Sequence, residues 1–328
     1  MSRPRLGFLG TGWIGRHRLA AILAEGRAEA VGIADPSPEM AAEAARLAPG
    51  ARVVGGLEEL LALRPDGIVI ATPSALHAAQ SIRALEAGAA VFCQKPLGRT
   101  AAESGAVVEA ARRAGRLLAV DLSYRHTEAM QRIREVVREG GLGRPYAVDL
   151  TFHNAYGPDK PWFRDPALSG GGCVMDLGVH LVDLALWVLG FPAVTGVTSA
   201  LFAAGEPLGG RTDRVEDYAA ATLTLETGAV VRLACSWNLH AGRDAVIAAE
   251  FQGTAGGAAL RNEAGSFYDF TAERFQGTAR ETLAAPPDDW GGRAAAAWAA
   301  RLADGEGFDP AAGELVAVAG VLDRIYGR

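Results

Sequence analysis

Up to about residue 122 the chain alternates short, wholly apolar runs with longer stretches of helical period. Residues 6–9, 31–34, 68–71, 90–93 and 117–120 are apolar runs of strand length, and 52–54 is a weaker one. A run without a polar face is the mark of a strand covered on both sides. The segments 38–47, 74–87 and 100–114 carry the helical period. They start at Ser37, Ser74 and Thr100, residue types whose side chains accept a backbone N–H at a helix start. This alternation predicts an α/β domain over residues 1–122, a doubly wound parallel sheet with helices on both faces.

After a further helix at 127–139 the pattern changes at Gly140-Gly141-Leu142-Gly143. Strand-length β-rich runs follow at 146–154, 193–203, 217–226, 229–238, 245–252 and 255–262, with one strong helix at 176–189. Many strands and few helices predict a second domain over 123–328, of α+β type with a mainly antiparallel sheet. The segment 310–326 has a helical pattern and is expected to pack back on the first domain.

Composition narrows the function classes. The 328 residues are 49% hydrophobic, enough for two cores. A net charge of -6 with interspersed signs offers no phosphate-tracking stripe, so nucleic acid is not an expected partner. The uncharged stretch 184–205 is interrupted by Gly190, Pro192 and Gly196, so a helix end, turn and strand are expected there and no membrane span. Cys93, Cys173 and Cys235 are odd in number and far apart, which suits reduced thiols, and no apolar leader precedes the first strand. A cytoplasmic location is expected.

Gly10-Thr11-Gly12-Trp13-Ile14-Gly15 follows the first predicted strand and opens a helix. In that context the first glycine permits a tight turn, the second lets backbone approach a pyrophosphate, and the third permits close helix packing. Asp35 ends the second strand twenty residues after Gly15, where a carboxylate can accept hydrogen bonds from both ribose hydroxyls. It would repel a 2′-phosphate, and no Arg stands at 36–38, so NAD is expected in preference to NADP. A tight strand-to-helix turn with Asp35 as a cap is the alternative for the same residues. Thr72-Pro73 and His77 would lie at the same carboxyl edge of the sheet as cofactor-binding candidates; His77 could touch substrate or nicotinamide and is equally suited to a structural role.

Only two lysines occur among 32 basic residues, Lys95 and Lys160. Lys can surrender its proton where Arg cannot, so a lysine in so arginine-rich a chain is a candidate acid–base group. Lys160 sits in the turn-like Pro158-Asp159-Lys160-Pro161, whereas Lys95, in Gln94-Lys95-Pro96, follows a buried strand at the edge where open α/β sheets place ligands. In the second domain Ser169-Gly170-Gly171-Gly172 precedes Asp176 and His180, whose spacing of four puts them on one helix face. Such a carboxylate can orient an imidazole and stabilise its cation. Asp183 is a further candidate partner for the ring. No third His or Cys stands at ligand spacing, so no metal is expected. An Asp cap and a packed His would leave the same spacing.

Together these motifs resemble the Gfo/Idh/MocA family of dehydrogenases, and the resemblance runs over essentially the whole chain. It implies a Rossmann domain, a carboxyl-terminal domain with a large open sheet that often forms dimers or tetramers, and NAD(P)-dependent oxidation of sugars or cyclitols. The family's catalytic lysine falls on Lys95 and its active-site Asp and His on Asp176 and His180. Its Lys-Pro bond is often cis. One departure is Gln94, where the family usually has Glu.

The expected activity is oxidation of a small polyhydroxylated substrate, with Lys95 or His180 as the base. Tyr124, His153, Asn154, Tyr156, Trp162 and Trp237 are polar or aromatic groups suited to a sugar, and equally to core packing. A glycosidase using bound NAD for transient oxidation would share every motif. So would a non-catalytic NAD-binding sensor.

Overall fold

The computed structural model describes residues 3–328. They fall into two compact units, one running to Ser123 and including Gly291–Val316, the other made of Tyr124–Trp290 and Ala317–Arg328.

The first unit holds six strands: β1 (Arg5–Leu9), β2 (Glu29–Ala34), β3 (Arg52–Val53), β4 (Gly67–Ile70), β5 (Ala90–Cys93) and β6 (Leu118–Val120). They pair in the order β3-β2-β1-β4-β5-β6, all parallel. The order reverses between β1 and β4, and loops at the carboxyl ends of strands flanking such a reversal make the ligand crevice of this sheet type. Side chains alternate between two cores: Phe8, Val69 and Phe92 fill one face, and Leu9, Ile68, Ile70, Val91 and Cys93 the other.

Ser37 and Thr100 cap their helices, accepting from Met40 N at 3.3 Å and Glu103 N at 3.1 Å. Ser74 does not: it is the first residue of the helix Ser74–Glu86, whose cap is Pro73, and its side chain is buried. The domain division also departs from expectation. The helix Arg293–Ala303 belongs to the first unit because Trp298 lies against Phe92, 5.7 Å between ring centroids. Gly67 makes room for it, since a Cβ there would stand 2.8 Å from the Trp298 ring. The last helix, Gly313–Tyr326, instead buries Val318, Val321, Leu322 and Ile325 in the second unit's core. The expected return to the first domain holds only for the start of this segment, where Ala312 and Leu315 pack on the first unit's core.

The second unit's sheet has nine strands: β7 (Pro145–Asn154), β8 (Val194–Ala203), β9 (Glu206–Pro207), β10 (Tyr218–Leu225), β11 (Val230–Ser236), β12 (Ala245–Gly253), β13 (Gly257–Asn262), β14 (Phe270–Gln276) and β15 (Ala279–Ala284). Their order is β15-β14-β13-β12-β7-β11-β10-β8-β9, antiparallel except for the central β7/β11 pair. Along β7, Val148, Leu150 and Phe152 point into the core while Asp149 and Thr151 face the other way. That opposite face is a shallow concavity of about 630 Å³ lined by small and polar side chains such as Thr198, Ser199 and Thr222. Arg232 and Asp149 pair across it at 2.6 Å.

A helix built from Val174–Gly178 and Val179–Leu189 covers the core face. The run Pro166–Leu189 is apolar and long enough to cross a membrane by length and composition, yet 89% of its apolar window is buried inside the protein. It is the central core helix of this unit.

Candidate active site

In the first unit the three loop glycines do three different things. Gly10 has φ +82°, and a Cβ there would stand 2.6 Å from the Ala71 carbonyl oxygen. A Cβ on Gly15 would stand 2.1 Å from the Gly10 oxygen, so the helix can approach the turn only without one. A Cβ on Gly12 would meet nothing within 4 Å. The helix Trp13–Ala24 begins there with no side chain accepting its first N–H groups and no acid in its first turn. An uncapped helix start faced by open space is a seat for an anion, and the loop therefore fits a pyrophosphate. Trp13 is exposed beside it, and Ile14 is half-buried.

Asp35 braces this loop. One carboxylate oxygen accepts from Thr11 N at 2.5 Å and Thr11 Oγ1 at 3.3 Å, and the other accepts from Ser37 N at 2.9 Å. Each oxygen keeps lone-pair capacity, as a carboxylate offers about four acceptor sites.

At the ends of β4 and β5 the chain runs through Thr72-Pro73 and Gln94-Lys95-Pro96, the last bond being cis. His77 is buried, with Nδ1 2.7 Å from the Pro96 oxygen and Nε2 2.7 Å from the Thr72 oxygen. Each ring nitrogen thus faces a backbone oxygen, one from each loop, and a neutral ring donates its single N–H to one of them. Burial pushes its pKa below the ordinary value; the two carbonyls oppose this and the Lys95 charge adds to it. Thr72 Oγ1 donates to Gln80 Oε1 at 2.6 Å. Lys95 is half-buried, and Gln94 donates its amide to the buried Asp121. Lys160, by contrast, is exposed and pairs with Asp159 at 3.0 Å.

In the second unit the glycine run is packed rather than open. A Cβ on Gly171 would stand 2.0 Å from the Tyr326 hydroxyl, and one on Gly172 would stand 1.8 Å from the Glu216 backbone oxygen. Glu216, which sequence reasoning missed, is the hub. Its buried carboxylate accepts from Gly172 N at 3.0 Å, Val174 N at 2.9 Å and Tyr326 OH at 2.8 Å. Burial raises its pKa even so, with the hydrogen bonds opposing, and burial chiefly raises that of Tyr326. A carboxylate gathering N–H groups at a helix start fixes where that helix begins. Its only signal in the sequence is an acid between two strand runs.

The helix so anchored opens with π-type geometry over Val174–Gly178, and Asp176 lies in that turn. Such irregular turns occur often at functional sites. Trp237 Nε1 donates to Asp176 Oδ2 at 3.0 Å, so Trp237, buried, positions the carboxylate and does not present a stacking face. His180 follows on the α-helical part, buried with its ring 4.9 Å from that of Tyr124 and 6.4 Å from that of Phe152. Asp183 takes the Arg125 guanidinium, with contacts of 2.5 Å and 2.9 Å.

The remaining candidates separate. Tyr124 belongs to the second unit's aromatic core with Phe152, Phe270 and Trp290, and burial raises its pKa, helped by Asp176. His153 stacks on Tyr218 and has Nδ1 2.8 Å from Ser236 Oγ, with its pKa lowered by burial. Asn154 keeps a buried side-chain oxygen with no hydrogen-bond partner. Tyr156 is exposed, and Trp162 stacks on Phe163 at 3.8 Å. Among the described residues no group of three or more His, Cys, Asp or Glu is placed to hold a metal ion.

Residues 5–122 match the oxidoreductase family with an NAD-binding Rossmann fold, and residues 130–259 match the Gfo/Idh/MocA carboxyl-terminal domain. The chain belongs to the Gfo/Idh/MocA family. It is 32% identical to D-glucoside 3-dehydrogenase of Escherichia coli over 61% of this chain and 60% of that protein. It is 31% identical to levoglucosan dehydrogenase of Pseudarthrobacter phenanthrenivorans over 68% of this chain and 63% of that one. These matches thus span about three fifths of each relative. The structure resembles that of GenD2 from gentamicin A biosynthesis in complex with NAD, with a TM-score of 0.82, 26% identity, and coverage of 100% of this chain and 96% of that one.

Proposed function

We propose that the protein is an NAD-dependent dehydrogenase that oxidises a hydroxyl of a sugar, a sugar derivative or a cyclitol. The observation that carries this reading is Gly12: the loop around it is closed by its own atoms at Gly10 and Gly15 and left open at the one position a pyrophosphate needs. Asp35, held against the same loop, supports NAD over NADP because it would repel a 2′-phosphate. Gly10 to Gly15 and Asp35 hold the dinucleotide on this reading, with Thr72, Pro73, Gln94 and Lys95 bordering its reactive end. Bound nicotinamide supplies the hydride acceptor.

The chain's own residues handle the proton. Oxidation of a secondary alcohol releases one proton from oxygen as the carbon gives up its hydride, and Lys95 or His180 takes that proton. Asp176, steadied by Trp237, holds a negative charge on the helix that carries His180 and stabilises the imidazolium. His153, Asn154, Tyr156 and Trp162 are the candidates for holding substrate hydroxyls and ring faces. The names of the two curated relatives support a carbohydrate substrate. A second copy of the chain packed on the open sheet face, giving a homodimer or homotetramer, and a cytoplasmic location complete the proposal.

The test is a panel of sugars, glycosides and cyclitols offered with NAD, followed by NADH absorbance. NADH formation with members of one such class is the expected result. A panel that yields no NADH, or turnover with NADP alone, contradicts the reading.

A further inference from the structure

A buried charge pair lies directly behind the lysine loop. Asp121 follows β6, and its N–H donates to the Cys93 oxygen at 2.9 Å, which fixes it beside the end of β5. Its side chain is only 1% exposed. One carboxylate oxygen receives Arg18 Nε at 2.5 Å and also the Gln94 amide. The other oxygen is buried without a hydrogen-bond partner. Arg18 is itself 5% exposed and belongs to the helix that starts at the glycine loop.

Taking both charges out of water is costly, and a well-packed apolar pair would serve stability as well or better. What the pair does provide is a fixed acceptor facing residue 94. Because that acceptor already carries a negative charge, residue 94 must donate, and Gln can where an ionised Glu cannot. A carboxylate at 94 would meet another carboxylate at hydrogen-bond distance, and two such groups in one site either repel or share a proton. The amide donated to Asp121 also fixes which way the Gln94 carboxamide points.

We propose that Asp121, held by Arg18, is a positioning residue for Lys95 acting through Gln94, and that the family's Glu at position 94 is incompatible with Asp121 in this chain. The departure in Gln94-Lys95-Pro96 is thus one half of a coupled pair, and the other half stands 27 residues away. The inference rests on Lys95 being the acid–base group of the proposed reaction.

The test is the cycle of Gln94→Glu, Asp121→Asn and the double variant. In the double variant the amide introduced at position 121 can donate to the carboxylate introduced at position 94, which restores one donor and one acceptor with the order reversed. Three readouts are taken on the full chain: thermal midpoint, turnover against KM for NAD, and acylation of Lys95 by an amine reagent. Because the chain has only two lysines, mass spectrometry can follow Lys95 with Lys160 as internal reference. Gln94→Glu is expected to lower the thermal midpoint, to cut turnover about tenfold with KM for NAD little changed, and to slow Lys95 acylation relative to Lys160. The double variant should recover most of each loss, a coupling of the size found for groups in direct contact.

Gln94→Glu behaving like the unmodified protein, or a double variant no better than the worse single, overturns the proposal. Recovery of the thermal midpoint without recovery of Lys95 acylation also overturns it, leaving a packing role alone. The acylation and melting readouts need no substrate. If the protein proves not to be a dehydrogenase, that failure shows in the sugar panel and these two readouts still decide the coupling.

Discussion

The chain has two glycine-rich runs that look alike in sequence and do opposite things. Gly10 to Gly15 closes on itself but leaves the space in front of Gly12 open, at an uncapped helix start. Gly170 to Gly172 also precedes a helix, yet the positions where side chains would stand on Gly171 and Gly172 are taken by the Tyr326 hydroxyl and the Glu216 backbone. There the helix start is served by the protein's own anion, the Glu216 carboxylate. A glycine run before a helix therefore becomes a ligand site only when the chain supplies neither the cap nor the filling. The first unit leaves its helix start uncapped, and the second brings its own anion.

The comparison breaks most visibly at the lysine. Lys95→Arg keeps the positive charge at the receiving site but removes a group able to release a proton. A loss of about 10²–10⁴ in turnover is expected, with NAD affinity retained, since that is the usual contribution of general acid–base catalysis. Turnover within a few fold of normal, measured across pH on the substrate found, would reduce Lys95 to an electrostatic role.

Next come the packed glycines. Gly172→Ala forces a methyl into the Glu216 backbone and should cost about 3 kcal/mol or more in urea unfolding, at the upper end for overpacking. Glu216→Ala removes the acceptor shared by Gly172, Val174 and Tyr326, and a loss of about 2–3 kcal/mol is expected from the buried donors left unmade. Gly12→Ala should leave urea unfolding unchanged, because its φ of -56° suits alanine and its Cβ meets nothing. If Gly12→Ala and Gly172→Ala destabilise equally, the contrast between the two runs is lost.

Two histidines, one buried and one half-buried, sharpen the comparison with the smallest effect. Burial lowers the folded-state pKa of both His77 and His153. The unfolded chain then binds protons first as pH falls, so the stability these groups contribute is present above their ordinary value of about 6.5 and is lost as pH drops through the folded values. His77, fully enclosed in the first unit, should contribute more of this loss than the half-buried His153. Urea midpoints taken on either side of that pH for the parent and for each His→Asn variant measure it. A parent midpoint that rises on acidification would contradict the direction.

Local information was enough for the parallel sheet of the first unit, and not for the helix that completes that unit's core or for the edge of the second unit's sheet. The β1 loop, Asp35 and the alternating strands are read from neighbours in sequence, and six parallel strands follow from them. The helix Arg293–Ala303 was hidden because its core face is mostly Ala, with a single Trp298 whose pocket is made by Gly67, far away in sequence. β14 and β15 were missed because their charged residues, among them Glu273 and Arg280, which pair at 3.3 Å, blunt the apolar alternation. His77 was placed on the correct edge, but only the fold shows that its ring faces the Thr72 and Pro96 carbonyls. Glu216 and Asp121 could not be found from spacing, since they act on residues 27 to 110 positions distant.

The most direct measurement is a calorimetric titration of NAD and of NADP into the unmodified protein and into Gly12→Ala. The account predicts that the unmodified protein binds NAD more tightly than NADP, and that Gly12→Ala weakens NAD about tenfold or more while its thermal midpoint stays that of the parent. Tighter binding of NADP, or NAD affinity untouched by a methyl at Gly12, would contradict it.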